Sequence, residues 1–303
     1  MADTEEPTPY RAGFVSIVGR PNVGKSTLTN ALVGEKVAIT SSKPQTTRRA
    51  IRGIVHRPQG QLILVDTPGV HRPRTLLGER LNSLVQETLG DVDVIAMCFP
   101  ADEAIGPGDR FINTQLDDYP RARKVAIVTK TDATSKAKVA EQLLAVSDLR
   151  EWELIVPVSA PKGEQLDVLV DELIAMLPES AQPLYPADAL TDEETVERIA
   201  EYVREAALEG VSDELPHSIA VTVDDMIERE DGSLIDVYAN LYVERESQKG
   251  IIIGKGGSRL KAVGATARAQ IEPLLGRRVF LSLRVKVAKD WQRDPKQLGR
   301  LGF

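Results

Sequence analysis

The chain of 303 residues holds one cysteine, three histidines and few aromatics, 4% of the total. A single cysteine excludes an internal disulfide, and with three scattered histidines it cannot assemble a zinc cluster. Cys98 lies inside the apolar run Val94-Ile95-Ala96-Met97-Cys98-Phe99, where a thiol behaves as a small buried hydrophobe rather than a nucleophile. No apolar run approaches the length that crosses a bilayer. Residues 1–10 read as a flexible N-terminus, acidic and proline-bearing, with neither the charge nor the apolar core of a signal or transit peptide. A cytoplasmic location is the expectation. What is present is ordinary for a globular protein: 42% hydrophobic residues and enough length for two domains, each with its own core.

The net charge of −7 is unevenly spread. Residues 245–303 carry 14 Lys and Arg against four Asp and Glu, whereas residues 188–244 carry three against 17. A basic end beside an acidic segment is the electrostatic footprint of a nucleic-acid site, provided the basic part also holds a suitable loop.

It does, and a second glycine loop stands near the other end. Gly19-Arg20-Pro21-Asn22-Val23-Gly24-Lys25-Ser26 fits G-x-x-x-x-G-K-[ST], follows the apolar run 14–18 and opens a helical stretch from Thr27 to Val33. In that setting the backbone N–H groups cradle phosphates, Lys25 reaches the β and γ oxygens, and the Ser26 hydroxyl ligates Mg²⁺. Ile253-Gly254-Lys255-Gly256-Gly257-Ser258 fails this spacing and fits the GXXG loop that clamps single-stranded RNA. Gly254 and Gly257 let the backbone turn tightly and approach phosphates, with Lys255 and Gly256 of the RNA-binding set between them. Ser258 is expected to cap the next helix, and Arg259 and Lys261 to meet the RNA backbone. Arg277, Arg278, Arg284, Lys286 and Lys289 extend the basic surface, and Ile251, Ile252 and Ile253 are expected in the core.

Between residues 10 and 178, apolar runs at 14–18, 61–65, 92–99, 124–129 and 154–158 alternate with amphipathic stretches, including 76–89, 135–146 and 164–177. Such alternation predicts a parallel sheet covered by helices, with ligands at the carboxyl ends of its strands. The expected domains are 11–180 for nucleotide binding, 181–191 as linker and 192–303 for RNA. In the last of these, Thr191-Asp192-Glu193-Glu194 reads as a capping box that opens a helix to about Leu208. Strands at 217–230 and 233–245 follow, turning at Asp231-Gly232, and the order becomes α-β-β-α-α-β, a type II KH arrangement.

Further motifs specify the nucleotide. Asp66-Thr67-Pro68-Gly69 ends a strand: Asp66 can hold the metal's water shell, and the Gly69 amide can approach the γ-phosphate. Thr129-Lys130-Thr131-Asp132 resembles N-K-x-D, and Asp132 can accept from guanine N1–H and the 2-amino group together, donors that adenine lacks there. Thr129 in place of Asn can still hydrogen-bond through its hydroxyl but lacks the amide fork that also ties this loop to the phosphate loop. Ser159-Ala160-Pro161-Lys162 can offer a backbone amide to guanine O6. In the polar loop 42–48, Thr47 rather than Thr46 is expected on Mg²⁺. The metal set is therefore Ser26, Thr47 and Asp66. After Gly69 stand Val70 and His71, so the Gln that often orients the attacking water is absent. Asn22 offers a substitute, coordinating K⁺ beside the phosphates, and the catalytic set becomes Lys25, Thr47 and Asn22.

Taken together, GRPNVGKST, SSKPQTTRR, DTPGVH, TKTD and SAPKG, followed by IIIGKGGS, resemble the Era family of bacterial GTPases over almost the whole chain, although TKTD departs from the family's usual NKxD. The resemblance implies a Ras-like α/β P-loop domain followed by an α+β type II KH domain. It also implies GTP and GDP as ligands, Mg²⁺ as cofactor, the 3′ end of 16S rRNA and the 30S subunit as partners, and a monomer that also associates peripherally with the inner membrane. Two other readings share parts of the pattern: a GTPase acting in RNA modification, and an RNA-binding module indifferent to nucleotide.

Overall fold

A computed structural model describes residues 9–41, 43, 46–69, 73, 75–211, 215–230 and 232–303. The flexible N-terminus expected for residues 1–10 thus lies largely outside the described residues. Two compact units make up the chain. The first comprises the described residues of Met1–Ala38, Arg49–His71 and Asn82–Asp192, the second those of Ile39–Arg48, Arg72–Leu81 and Glu193–Phe303.

The first unit runs β1 (Arg11–Val18), α1 (Lys25–Val33), β2 (Ile51–Arg57), β3 (Gly60–Asp66), α2 (Leu76–Gly90), β4 (Val94–Pro100), α3 (Pro107–Gln115), β5 (Arg123–Thr129), α4 (Lys136–Ser147), β6 (Leu154–Pro157) and α5 (Leu166–Met176), the first turns of α2 being counted with the second unit. Its strands form one sheet in the order β2-β3-β1-β4-β5-β6, parallel except for β2, which pairs antiparallel with β3. Every residue of β3 and β4 is buried, as expected where helices cover both faces of a parallel sheet. Leu169, Val170, Leu173 and Ile174 form the buried stripe of α5, packed with Val15, Ile17, Leu62 and Leu64 beneath it. On the other face Val85, Ile95, Met97, Phe99 and Val146 close a second layer.

The edge strand β2 was not among the runs expected from sequence, because Arg52, His56 and Arg57 interrupt its apolar positions. Its free edge is occupied by residues 184–192. The Ile54 N–H donates to Leu190 O at 2.9 Å, Gly53 and Thr191 form an antiparallel bridge, and Arg52 pairs with Asp192 at 2.8 Å. This pairing overrides the expected capping box. Thr191 and its neighbours extend along the sheet, and the helix begins only at Thr195, with Glu194 as an N-cap that makes no side-chain cap bond. An exposed strand edge offers backbone hydrogen bonds that a local cap must outcompete.

The second unit contains α6 (Thr195–Leu208), α7 (Leu215–Ser218), β7 (Ala220–Glu228), β8 (Leu234–Val243), α8 (Glu246–Ile253), α9 (Ser258–Leu275), β9 (Arg278–Val287) and α10 (Pro295–Arg300). The sheet β7-β8-β9 is antiparallel at β7–β8 and parallel at β8–β9. Val203, Ala207, Val263, Ala267 and Ile271 pack α6 and α9 against its inner face, with Ile252 beside them. Ile252 is fully buried, but Ile251 is 52% exposed, so only part of the isoleucine triplet builds the core. Asp231 of the expected turn lies outside the described residues; Gly232 beside it adopts φ 65° and donates to Arg229 O at 2.8 Å.

Residues 39–48 are built into this second unit. Ile39 is buried in its main core, the Thr40 N–H donates to Glu205 Oε1 at 2.8 Å, and Arg204 donates to Thr46 O. At the far end Arg48, 3% exposed, spreads its guanidinium over the carbonyls of Ile219 (2.6 Å), His217 (2.8 Å) and Pro216 (3.2 Å). The rings of Trp291 and Phe303 lie 5.7 and 5.9 Å from it.

Candidate nucleotide and RNA sites

β1, β3, β5 and β6 all run parallel and end at the same edge, so the loops that follow them converge although they are distant in sequence. After β1 the chain turns at Gly19 and Asn22, both at positive φ, and reaches α1 through Gly24 at φ 96°. Lys25 is the first residue of α1 and 7% exposed. Its ammonium donates to Arg20 O at 2.9 Å and Gly19 O at 3.2 Å. Burial lowers the Lys25 pKa, and the charge of Asp66 opposes that shift. Beneath the loop, burial pushes the Cys98 thiol up to about 12, as expected of an inert buried cysteine.

At the end of β3, Asp66 is fully buried and accepts from the Ser26 hydroxyl at 2.6 Å. Two expected metal ligands are thus adjacent, an oxygen pair of the type that a hard divalent cation selects. Gly69 lies so close to the phosphate loop that a Cβ there would come within 3.1 Å of the Pro21 nitrogen. Thr67, a residue the sequence reading passed over, is buried and donates to Ile17 O at 3.1 Å, tying the end of β3 to β1. Thr47, the third expected metal ligand, is 6% exposed and belongs to the second unit with the rest of Ile39–Arg48. Thr46 donates to Lys43 O at 2.6 Å. Val70 and His71 lie outside the described residues.

At the end of β5, the Thr129 hydroxyl donates to Val23 O at 2.6 Å. Without the amide fork, this one hydroxyl ties the loop to the phosphate loop. Lys130 follows at φ 57°, and Asp132 accepts from Ser159 Oγ at 2.7 Å. Gly24, Thr27, Leu28, Thr129, Lys130, Asp132, Ala133, Val158, Ala160 and Pro161 line a cavity of about 270 Å³. Its apolar walls with one carboxylate suit a flat heterocycle bearing hydrogen-bond donors.

In the second unit, α8 ends at Gly254, whose φ 72° and ψ 174° fall in a region open essentially to glycine alone. A Cβ there would also meet Arg259 Cβ at 2.7 Å. Gly256 and Gly257 take φ 60° and 80°, and Gly257 is the N-cap of α9. Ser258, expected as that cap, is instead the first helical residue and makes no cap bond: glycine at positive φ already turns the chain. Lys255 and Lys261 are exposed. A groove of about 340 Å³ starts at this loop, with Leu260, Gly264, Leu281 and Leu283 along it and Lys261 and Arg268 among its lining.

Arg259 departs from expectation. Its guanidinium donates to Glu209 O at 2.6 Å and Gly210 O at 3.3 Å, anchoring the end of α6 rather than pointing to a ligand. Part of the basic surface is likewise engaged: Arg277 pairs with Glu228, and Lys286 lies 4.0 Å from Asp224.

A parallel sheet with a phosphate loop, an adjoining Ser–Asp oxygen pair and an acid-bearing base pocket defines a P-loop GTPase unit, here on one chain with a KH unit. Family models agree: one described as 50S ribosome-binding GTPase matches residues 14–131, and a KH domain matches residues 214–292. GTPase Era of Leifsonia xyli subsp. xyli is 76% identical over 296 residues, 98% of this chain and 100% of the relative. GTPase Era of Mycolicibacterium smegmatis is 64% identical over 299 residues, again 98% and 100%. A solved structure of Era in complex with MgGDPNP and nucleotides 1506–1542 of 16S ribosomal RNA matches with a TM-score of 0.92 at 38% identity, covering 97% of this chain and 99% of that one. A variant of Aquifex aeolicus Era bound to GDP and AlF₄⁻ matches with a TM-score of 0.92 at 37% identity, over 96% and 99%. The chain belongs to the Era family of GTPases.

Proposed function

We propose that this chain is a GTP-operated switch whose KH unit binds the 3′ end of 16S rRNA and assists assembly of the 30S subunit. The observation that carries the reading is the Ser26–Asp66 pair beside the seat of Lys25, on the same unit as the Asp132 pocket, with the glycine loop and its groove on the other unit. The relative solved with both MgGDPNP and 16S rRNA nucleotides supports the pairing of ligands.

In this reading the residues from Gly19 to Thr27 bind the phosphates, Lys25 neutralises their charge, and the Gly69 amide faces the γ-phosphate. Ser26, Asp66 and Thr47 would hold Mg²⁺, which supplies charge neutralisation at the β and γ oxygens when bound. Thr129 and Lys130 shape the base pocket, Asp132 selects guanine, and Ser159 with the Ala160 amide completes it. Gly254, Lys255, Gly256, Gly257, Ser258 and Lys261 hold the RNA backbone. The functional division follows 11–180, 181–191 and 192–303, although residues 39–48 and 72–81 pack with the second compact unit and residues 181–191 with the first. The protein acts as a cytoplasmic monomer with peripheral contacts to the inner membrane; among the described residues no helix is long and apolar enough to cross one.

GTP and a 16S 3′-end oligonucleotide should each bind the wild-type chain, and excess ATP should leave bound GTP in place. Gly254→Ala should lose at least about tenfold in RNA affinity, because its backbone conformation and its contact with Arg259 both exclude a side chain. GTP affinity should not change in that variant. Displacement of GTP by ATP, or full RNA binding by Gly254→Ala, overturns the reading.

Asn22 sits in the phosphate loop at φ 64° and is exposed. There its amide oxygen would hold K⁺ against the phosphates, supplying positive charge where an arginine finger would otherwise act. Hydrolysis should be slow and faster in K⁺ than in Na⁺, and Asn22→Ala should erase the difference. Equal turnover in the two salts excludes this role.

A further inference from the structure

Arg20 occupies the second position of the phosphate loop, yet its side chain turns away from it. Its Nε donates to Asp109 Oδ1 at 2.8 Å, and a terminal nitrogen donates to Glu103 Oε2 at 3.2 Å. Asp109 is fully buried, so its carboxylate needs partners for both oxygens. The second oxygen accepts from the Gly106 N–H at 2.8 Å, at the start of α3. Gly108 completes the seat: a Cβ there would lie 2.8 Å from Arg20 Cδ, so the arginine stem rests directly on the helix backbone. The main chain of the same Arg20 carries the carbonyl on which the Lys25 ammonium rests at 2.9 Å. Glu103 also lies 4.0 Å from Lys130 Nζ, in the loop that lines the base pocket.

We propose that Asp109 is a positioning residue for nucleotide binding: through Arg20 it locks the phosphate loop to the start of α3 and fixes the carbonyl seat of Lys25. The inference rests on the nucleotide-site reading above. A loop that must present several N–H groups to phosphate at once gains from a rigid anchor outside the ligand's reach. Here a buried carboxylate supplies that anchor 89 residues away in sequence.

The alternative is that Asp109 only starts α3. A thermodynamic cycle separates the two. Asp109→Asn, Arg20→Gln, the double variant and Arg20→Lys are each titrated with fluorescent GDP and GTP below their own melting temperatures. Each single change to Asn or Gln should weaken both nucleotides by roughly tenfold, the size of one charged hydrogen bond. The double variant should be little worse than either, because one linkage is broken once. Arg20→Lys keeps the charge, loses the fork, and should fall between wild type and Arg20→Gln. Asp109→Asn that melts earlier but binds nucleotide like wild type overturns the proposal, as do losses that multiply in the double variant. Failure of the wild-type chain to bind either nucleotide would overturn the nucleotide reading along with it.

Discussion

Replacing Lys25 with alanine should abolish useful nucleotide binding, a loss of more than about a hundredfold in Kd for GDP and GTP alike, or about 3 kcal/mol. The side chain is 7% exposed and its ammonium is held by the carbonyls of Arg20 and Gly19, so the charge is fixed beside the phosphate loop. Alanine removes the charge and leaves two carbonyls without their donor. Lys25→Arg should rescue little, because a planar fork does not fit a seat shaped for a compact ammonium. Calorimetric titration of GDP against the three proteins reads this out, and wild-type affinity in Lys25→Ala would refute the role. A pH profile adds a second check. Burial lowers the Lys25 pKa, and phosphate binds the protonated form, so affinity should be full below that pKa and lost above it. The alkaline fall should come at lower pH than an unperturbed lysine would give, and should be missing in Lys25→Ala.

Arg48→Ala should destabilise the second unit by about 2–3 kcal/mol, the cost of leaving buried carbonyls without their charged donor. The one-turn helix α7 leaves its carbonyls without helical partners, and side chains serve them instead. Arg48 covers Pro216, His217 and Ile219, and Trp291 Nε1 donates to Ser218 O at 3.0 Å. Burial, with the like charge of Arg204, pushes the Arg48 pKa down to about 9, while Glu201 and Glu244 pull it up. The group therefore remains charged at neutral pH, and its bonds to the carbonyls are charge-assisted. Amide hydrogen exchange over 39–48 and 215–219 should rise sharply in Arg48→Ala, with Arg48→Lys between it and wild type. Unchanged protection would show that the stacked rings of Trp291 and Phe303 hold the segment without the arginine.

That result bears on the switch because Thr47, proposed for Mg²⁺, is the neighbour of Arg48. The segment that carries Thr47 is anchored in the core of the second unit at Ile39, Thr40, Thr46 and Arg48. The polar sequence 42–48 gave no sign of this, since an arginine at the end of such a loop reads as solvated. Nor could spacing foretell the use of Arg259 on the end of α6.

The motifs whose chemistry needs a contiguous stretch of backbone were legible in the amino-acid sequence alone. The phosphate loop and the glycine loop at 254–257 depend on glycine at particular dihedrals, and apolar runs place them and the DTPG and TKTD turns at strand or helix ends, all local properties. The same periodicity foretold a nucleotide-binding part followed by an RNA-binding part and most of their elements, but not β2 or the place of residues 39–48 and 72–81 in the second unit. Tertiary structure alone decided the partners. Thr129 reaches Val23 across 106 residues and Asp109 reaches Arg20 across 89. Residues 190–191 extend along β2 instead of capping a helix, and residues 39–48 join the second core. Periodicity specifies which face of an element is buried, but a polar side chain's partner depends on which elements pack beside it, and long-range packing sets that.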